Sequence, residues 1–173
     1  MQDWFTADTH FLHTNILCYC NRPFKTVTEM DDTMITNWNS KVKPNDTIYH
    51  LGDFIFGEYE SILKRLNGKI FLILGSHDGN AFEHKNRFVD IRRLHEFRKD
   101  DIHITLCHYS MRVWPRSHYN SFHLYGHSHG HLESFGKSFD VGVDSNNFHV
   151  WSLDEIVAKM KTLPDNFNLV KGR

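Results

Sequence analysis

A chain of 173 residues, 40% hydrophobic and 24% charged, has the length of one domain and enough apolar side chains for a full core. Its net charge of −1, with histidines neutral, excludes a broad basic field or an extended nucleic-acid surface, but not a nucleotide held in a pocket. Three cysteines, Cys18, Cys20 and Cys107, give no even disulfide framework and no Cys-x-x-Cys pair, and no signal peptide or membrane span is visible, so a reduced, cytoplasmic setting is expected.

In chain order, residues 2–7 read as a buried strand running into Asp8-Thr9-His10. Phe11 to Tyr19 reads as a short helix, followed by a turn at Asn21-Arg22-Pro23. Thr28 is placed to cap a helix whose apolar face is Met30, Met34, Trp38 and Val42, and Pro44-Asn45-Asp46 stops it. Residues 47–51 form a strand that ends in Gly52-Asp53. Tyr59, Ile62, Leu63 and Leu66 mark a helix, which Asn67-Gly68 ends with a left-handed residue. The uninterrupted apolar run 69–74 is typical of a central strand buried on both faces, and it leads into Gly75-Ser76-His77-Asp78. The second half reads as more antiparallel. Its strands are expected at Phe88 to Ile91, Ile102 to Cys107, Ser121 to Tyr125, Ser138 to Val143 and Phe148 to Trp151, with a turn at Ser145-Asn146-Asn147. A capping box, Ser152 to Glu155, opens a last helix. The chain is one α/β domain, 1–173, whose end, 162–173, is expected to be loosely held.

Five apolar segments thus deliver Asp or His where a strand stops: Asp8 and His10, Asp53, His77 and Asp78, His108, then His127 and His129. In α/β sheets ligands bind outside the carboxyl ends of strands, and Asp with His forms the oxygen and nitrogen donor set of divalent transition metals. Histidine is frequent, 14 of 173 residues, so a lone Asp-x-His carries no weight. Asp101-Ile102-His103 is such a lone pair: it sits inside the alternation Ile102, Ile104, Leu106, which turns His103 to the opposite, wetter face. What counts is the ordered set.

That set, Asp8-x-His10, Gly52-Asp53, Gly75-Ser76-His77-Asp78, His108 and Gly126-His127-x-His129, resembles the calcineurin-like metallophosphoesterases over residues 3–131. Small bacterial and phage-type members also carry a stretch like Cys20-Asn21-Arg22-Pro23-Phe24. The chain departs from the pattern at Ser76, where the family has asparagine. The resemblance implies two packed, mainly mixed β-sheets flanked by helices. It implies a binuclear site in which Asp8, His10 and His129 hold one metal, His108, His127 and Ser76 the other, and Asp53 bridges. Manganese is the first candidate, with iron, nickel, cobalt or zinc also suited to such donors. His77 would be the general acid, oriented by Asp78 or by a backbone carbonyl. The implied activity is phosphate-ester hydrolysis, with phosphodiesters of nucleotide size ahead of phosphomonoesters. A scaffold on the same fold, weakened at Ser76, is the reading from another class. For substrate, Arg22 is placed to fork onto a phosphate or leaving group. Arg112, Trp114, Arg116 and His118 lie in a loop whose ends are both anchored at the metal motifs. Either they stack on and clamp a nucleobase, or the loop is solvated with Trp114 in the core.

Overall fold

The computed structural model of the protein describes residues 1–170. Its strands are β1 (Asp3–Thr6), β2 (Thr47–His50), β3 (Lys69–Ile73), β4 (Asp90–Arg92), β5 (Leu94–Lys99), β6 (Ile102–Cys107), β7 (Phe122–Tyr125), β8 (Ser138–Asp140) and β9 (Trp151–Ser152). The helices are α1 (Ile16–Tyr19), α2 (Val27–Lys41), α3 (Tyr59–Leu63) and α4 (Leu153–Thr162). Two sheets result, in the orders β4-β3-β2-β1-β9 and β5-β6-β7-β8. The α/β architecture of two packed mixed sheets flanked by helices is therefore as expected. No helix among the described residues is long and apolar enough to cross a membrane.

Alternation along the central strands explains the layering. Side chains two apart share a face, so Trp4, Ile48, Ile70 and Leu72 join one apolar interior while Phe5, Phe71 and Ile73 join another. The first interior is covered by Met30, Met34 and Trp38 of α2 and by Tyr59, Ile62 and Leu63 of α3. The second lies between the sheets, where Phe5 meets Ile104, Leu106, Leu124 and Phe139, and α4 adds Ile156 and Met160. Each fully buried Leu, Ile or Phe stabilises by about 1.5–3 kcal/mol. The sheets are thus clamped face to face, and the strand ends that carry Asp and His are held in fixed relation.

Several expectations need correction. The cap of α2 is Thr26, not Thr28: Thr26 has the extended backbone a cap requires and its Oγ1 accepts from Glu29 N at 3.1 Å. Of Phe11 to Tyr19 only the last turn is helical, because Leu12 takes φ +65. The second sheet is not mainly antiparallel. β6 pairs parallel to β7, and β7 parallel to β8. The connections 108–121 and 126–137 are long enough to carry the chain back across the sheet, as parallel pairing demands. Strand β5 was masked in the sequence by its charges; it is an antiparallel edge strand in which only His95, Phe97 and Lys99 turn inward. The capping box at Ser152 is present in full, with Glu155 answering it.

The end of the chain is tied down rather than loose as far as Val170; residues 171–173 lie outside the described residues. Asn166 is buried, its Oδ1 accepts from Lys137 N at 2.7 Å, and its Nδ2 donates to Ser117 O and Ser121 O. One side chain therefore joins the tail, the start of β8 and the loop before β7. We predict that Asn166→Ala, which strands one buried amide and two carbonyls, costs roughly 1–3 kcal/mol, read as a lower urea midpoint. A variant as stable as the parent would mean that the tail is not part of the folded unit.

Candidate metal centre

β1, β2, β3, β6 and β7 all release their chains at one edge, and backbone hydrogen bonds lace the loops together there. Asp8 N donates to Gly52 O at 2.9 Å, His10 N to Asp53 O at 3.0 Å, and Gly126 N to His108 O at 3.0 Å. Five residues at this edge take positive φ without being glycine: Asp8 (+55), His10 (+50), Asp53 (+54), His127 (+67) and His129 (+48). Asp and His tolerate this region better than most residues, yet such backbone still costs about 1–3 kcal/mol where it is held, and it clusters at functional sites. Gly52, at φ +95, has no substitute: a Cβ there would lie 2.5 Å from Gly75 N and 2.7 Å from His108 Nδ1.

Besides a cluster of Cys20, His129 and Asp144, in which Asp144 orients the His129 ring, the side chains form two donor groups. Asp8, His10 and His129 bring ligand-type atoms within 4.8 Å of one another, and so do Asp53, His108 and His127. Asp53 stands between the two. Its Oδ2 is 3.7 Å from His10 Nε2 and 3.6 Å from His108 Nε2, while Oδ1 accepts from His77 N at 2.9 Å. Asp8 Oδ1, His10 Nε2 and His108 Nε2 are buried and have no hydrogen-bond partner among the described residues. Unpaired buried atoms of this kind are costly, and here all three are electron-pair donors pointing into one space. The donor set and its orphans fit divalent metal binding.

Protonation supports the fit. Burial, then the positive neighbours His129 and Arg22, lower His10 to about 2, so the ring is neutral; in the tautomer whose Nδ1 donates to His13 Nδ1, 3.2 Å away, Nε2 keeps the lone pair. Burial also lowers His108. Its Nδ1 lies 2.7 Å from Leu51 O, which can only accept, so Nε2 keeps the lone pair. Burial, then the carboxylates Asp140 and Asp53, push Asp8 well above the usual carboxylate range, a shift that a nearby cation reverses.

A supporting layer fixes these rings. Asp78 does not orient His77. Its carboxylate accepts from Asp53 N, Phe54 N and Gly75 N at 2.7–2.9 Å and knots two loops under Asp53. His50, lowered to about 3 by burial and then by His108, accepts from Gly52 N at Nδ1. That leaves its Nε2 proton for Thr9 Oγ1, which in turn donates to Phe54 O. His129 Nδ1 donates to Asp144 Oδ2 at 2.7 Å. Although burial opposes it, hydrogen bonds from His129 and Arg22 hold Asp144 below the usual carboxylate range. Carboxylate–histidine pairs of this kind set ring orientation and tautomer in metal sites.

The substrate expectations largely fail. Arg22 is not free to meet a phosphate: Nε and Nη2 fork onto Asp144 at 2.8 Å each, Nη2 also donates to Asp8 O, and Nη1 donates to Thr9 O. It positions Asp144, and through it His129. Loop 111–120 does not pass over the donors. Trp114 is buried, donates to Ser121 O and packs on His123. Arg116 lies against His103, Arg112 over Phe135, and His118 beside Tyr119, with its carbonyl taken by Val170 N. Left-handed turns at Arg116 and Asn120 bend this loop back on the second sheet.

A cleft of about 530 Å³ opens on the donors instead. His10, Asp53, His77, His127 and His129 line it, together with His13, Ile16, Tyr19, Cys20, Phe56, Ser128 and His131. His77 belongs to neither donor group, and its ring is exposed in the cleft. The Ser76 hydroxyl lies 2.9 Å from Tyr109 Oη. Tyr109 and Phe56 were missed because single aromatics carry no spacing signal. Asp144 was missed because its partners are 122 and 15 residues away.

No protein-family model matches the chain. It is 35% identical over 166 residues to an uncharacterised protein of Methanocaldococcus jannaschii, covering 89% of this chain and 88% of the relative. A crystal structure of a protein of unknown function from Aquifex aeolicus superposes with a TM-score of 0.74 at 26% identity, covering 91% of this chain and 98% of that one. The phosphoesterase YfcE of E. coli lies further off, at 19% identity and a TM-score of 0.48 over 82% of this chain and 78% of that one.

The Arg22–Asp144 pair, with side chains 0% and 9% exposed, yields a prediction. Arg22→Met leaves a buried carboxylate without its cation and should cost about 3–5 kcal/mol in denaturant unfolding, with weaker metal binding. Unchanged stability with only a raised KM would instead restore a substrate role to Arg22.

Proposed function

We propose that this chain, which belongs to the same family as the uncharacterised Methanocaldococcus jannaschii protein, is a metal-dependent phosphoesterase of the calcineurin-like type acting on phosphodiesters of nucleotide size. The observation that carries the reading is the meeting of two donor groups at Asp53 Oδ2. On this reading Asp8, His10 and His129 would hold one ion and His108 and His127 the other, with Asp53 shared between them. Bound there, two divalent ions supply a nucleophilic water at neutral pH and neutralise the phosphoryl oxygens. Manganese is the metal to test first among manganese, iron, nickel, cobalt and zinc.

The chain's own residues do the rest. The Asp78 knot and the His50–Thr9 relay hold the Asp53 loop rigid. His77 N donates to Asp53 Oδ1 and the His77 ring lies 6.2 Å from that of His10, which supports a role in which the ring gives a proton to the leaving oxygen. None of the described residues lining the cleft is lysine or arginine, which favours the single charge of a phosphodiester over the double charge of a monoester.

The test is hydrolysis of bis-p-nitrophenyl phosphate against p-nitrophenyl phosphate, after chelation and again with manganese restored. Metal-dependent cleavage with the diester preferred is the expected result; activity that survives chelation would end the reading. In the same assay His77→Ala should keep its metal content and lose about 10²–10⁴ in turnover on esters with poor leaving groups, with less loss on nitrophenyl esters. Equal loss on both would make His77 a structural residue.

Ser76 gives a separate prediction. An asparagine carbonyl reaches further than a serine hydroxyl and is the better neutral ligand, and here the hydroxyl is engaged with Tyr109. Ser76→Asn should raise turnover and lower the manganese concentration for half activity. Identical titrations and rates would remove position 76 from the metal site.

A further inference from the structure

The cleft has two unlike parts. Part of it is lined by Asp53 and histidines, and part by Ile16, Tyr19, Cys20 and Phe56, with Phe56 meeting the His10 ring at 5.0 Å and Cys20 lying near His129. His13 and Phe56 stack nearly parallel, with centroids 4.0 Å apart and planes at 6°. Phe56 also meets the His77 ring at 4.8 Å, and Tyr19 stands edge-on to His13 at 6.1 Å. A continuous wall of rings therefore runs outward from His77. Tyr19, at the end of α1, is 72% exposed, a large aromatic surface left in water at the rim. No cation among the described lining residues interrupts this wall.

We propose that the Phe56–His13–Tyr19 wall is a leaving-group subsite that selects esters whose departing group is a flat, uncharged aromatic system such as a nucleobase-bearing nucleoside. The inference rests on the phosphoesterase reading, because His77 marks the leaving side. A planar group stacks on rings with little dependence on its identity, and each stacked ring changes affinity by roughly 5- to 100-fold. A second phosphate or a sugar phosphate would find no counter-charge in this part of the cleft. A cleft of about 530 Å³ suits ligands of nucleotide size. Selectivity thus resides in Tyr19, exposed at the rim, and in Phe56, which stacks on the His10 ring at 5.0 Å, and not in the loop 111–120.

Two readouts test it on the metal-loaded protein. The first is calorimetric binding of 1-naphthylmethylphosphonate and of methylphosphonate, neither of which can be hydrolysed as an ester. The second is the ratio of kcat/KM for 1-naphthyl methyl phosphate over glyceryl methyl phosphate, with adenosine methyl phosphate as the nucleoside arm. We expect the aromatic compounds to be preferred, and expect Phe56→Ala and Tyr19→Ala each to shrink both preferences by roughly 5- to 100-fold. Phe82→Ala, an exposed aromatic away from the cleft, should leave both preferences as they are. Preferences that are absent, or that survive both substitutions, overturn the subsite while leaving the phosphoesterase reading intact. Binding preference that responds to the variants without hydrolysis of any ester would instead sink the phosphoesterase reading and keep an aromatic-phosphonate subsite.

Discussion

The site depends on one unfavourable act: two carboxylates, Asp8 and Asp53, are buried beside histidine nitrogens that offer lone pairs rather than protons. An ionised carboxylate away from water carries a penalty of several kcal/mol unless it is paired. Backbone amides relieve part of it, since His127 N reaches Asp8 and His77 N reaches Asp53. The neutral imidazoles of His10 and His108 relieve none. Divalent ions would satisfy both acids and all three orphaned donors together, which is why the metal reading fits this edge of the molecule and no comparable argument arises at the buried Asp46 or Asp78, whose oxygens already accept from backbone amides.

The fold supplies the rigidity that such an arrangement needs. Left-handed backbone at Asp8, His10, Asp53, His127 and His129 costs about 1–3 kcal/mol each. The interior between the sheets, with Phe5, Leu51, Phe71, Ile73, Leu106 and Leu124 all buried, holds this backbone in place. The supporting layer also links the two sheets. Arg22, which follows α1 on the first sheet's side, grips Asp144 beyond β8 of the second, and Asp144 holds His129. One donor group is therefore assembled only when both sheets are in place.

Much of this was legible in the sequence, and the pattern of failure is physical. Strand ends were readable because apolar runs stop abruptly at Gly, Asp and His, and the donors at those ends are drawn together by the parallel order of β1, β2, β3, β6 and β7. Arg22 was misread because its partner Asp144 is 122 residues distant, so nothing local distinguished a buried clamp from a phosphate ligand. For loop 111–120 the sequence left two readings open, because anchoring its two ends does not fix its middle; burial of Trp114 favours the one with this side chain in the core. The parallel pairing of β6, β7 and β8 depended on what their connections do, which composition does not encode.

The central claim is that Asp53 makes one centre out of two donor groups. Electron paramagnetic resonance of the protein, stripped by chelation and reloaded with two equivalents of manganese, tests it most directly. The account predicts the spectrum of a spin-coupled manganese pair in the native chain and of uncoupled ions in Asp53→Asn. Uncoupled ions in the native chain, or coupling untouched by Asp53→Asn, would contradict it.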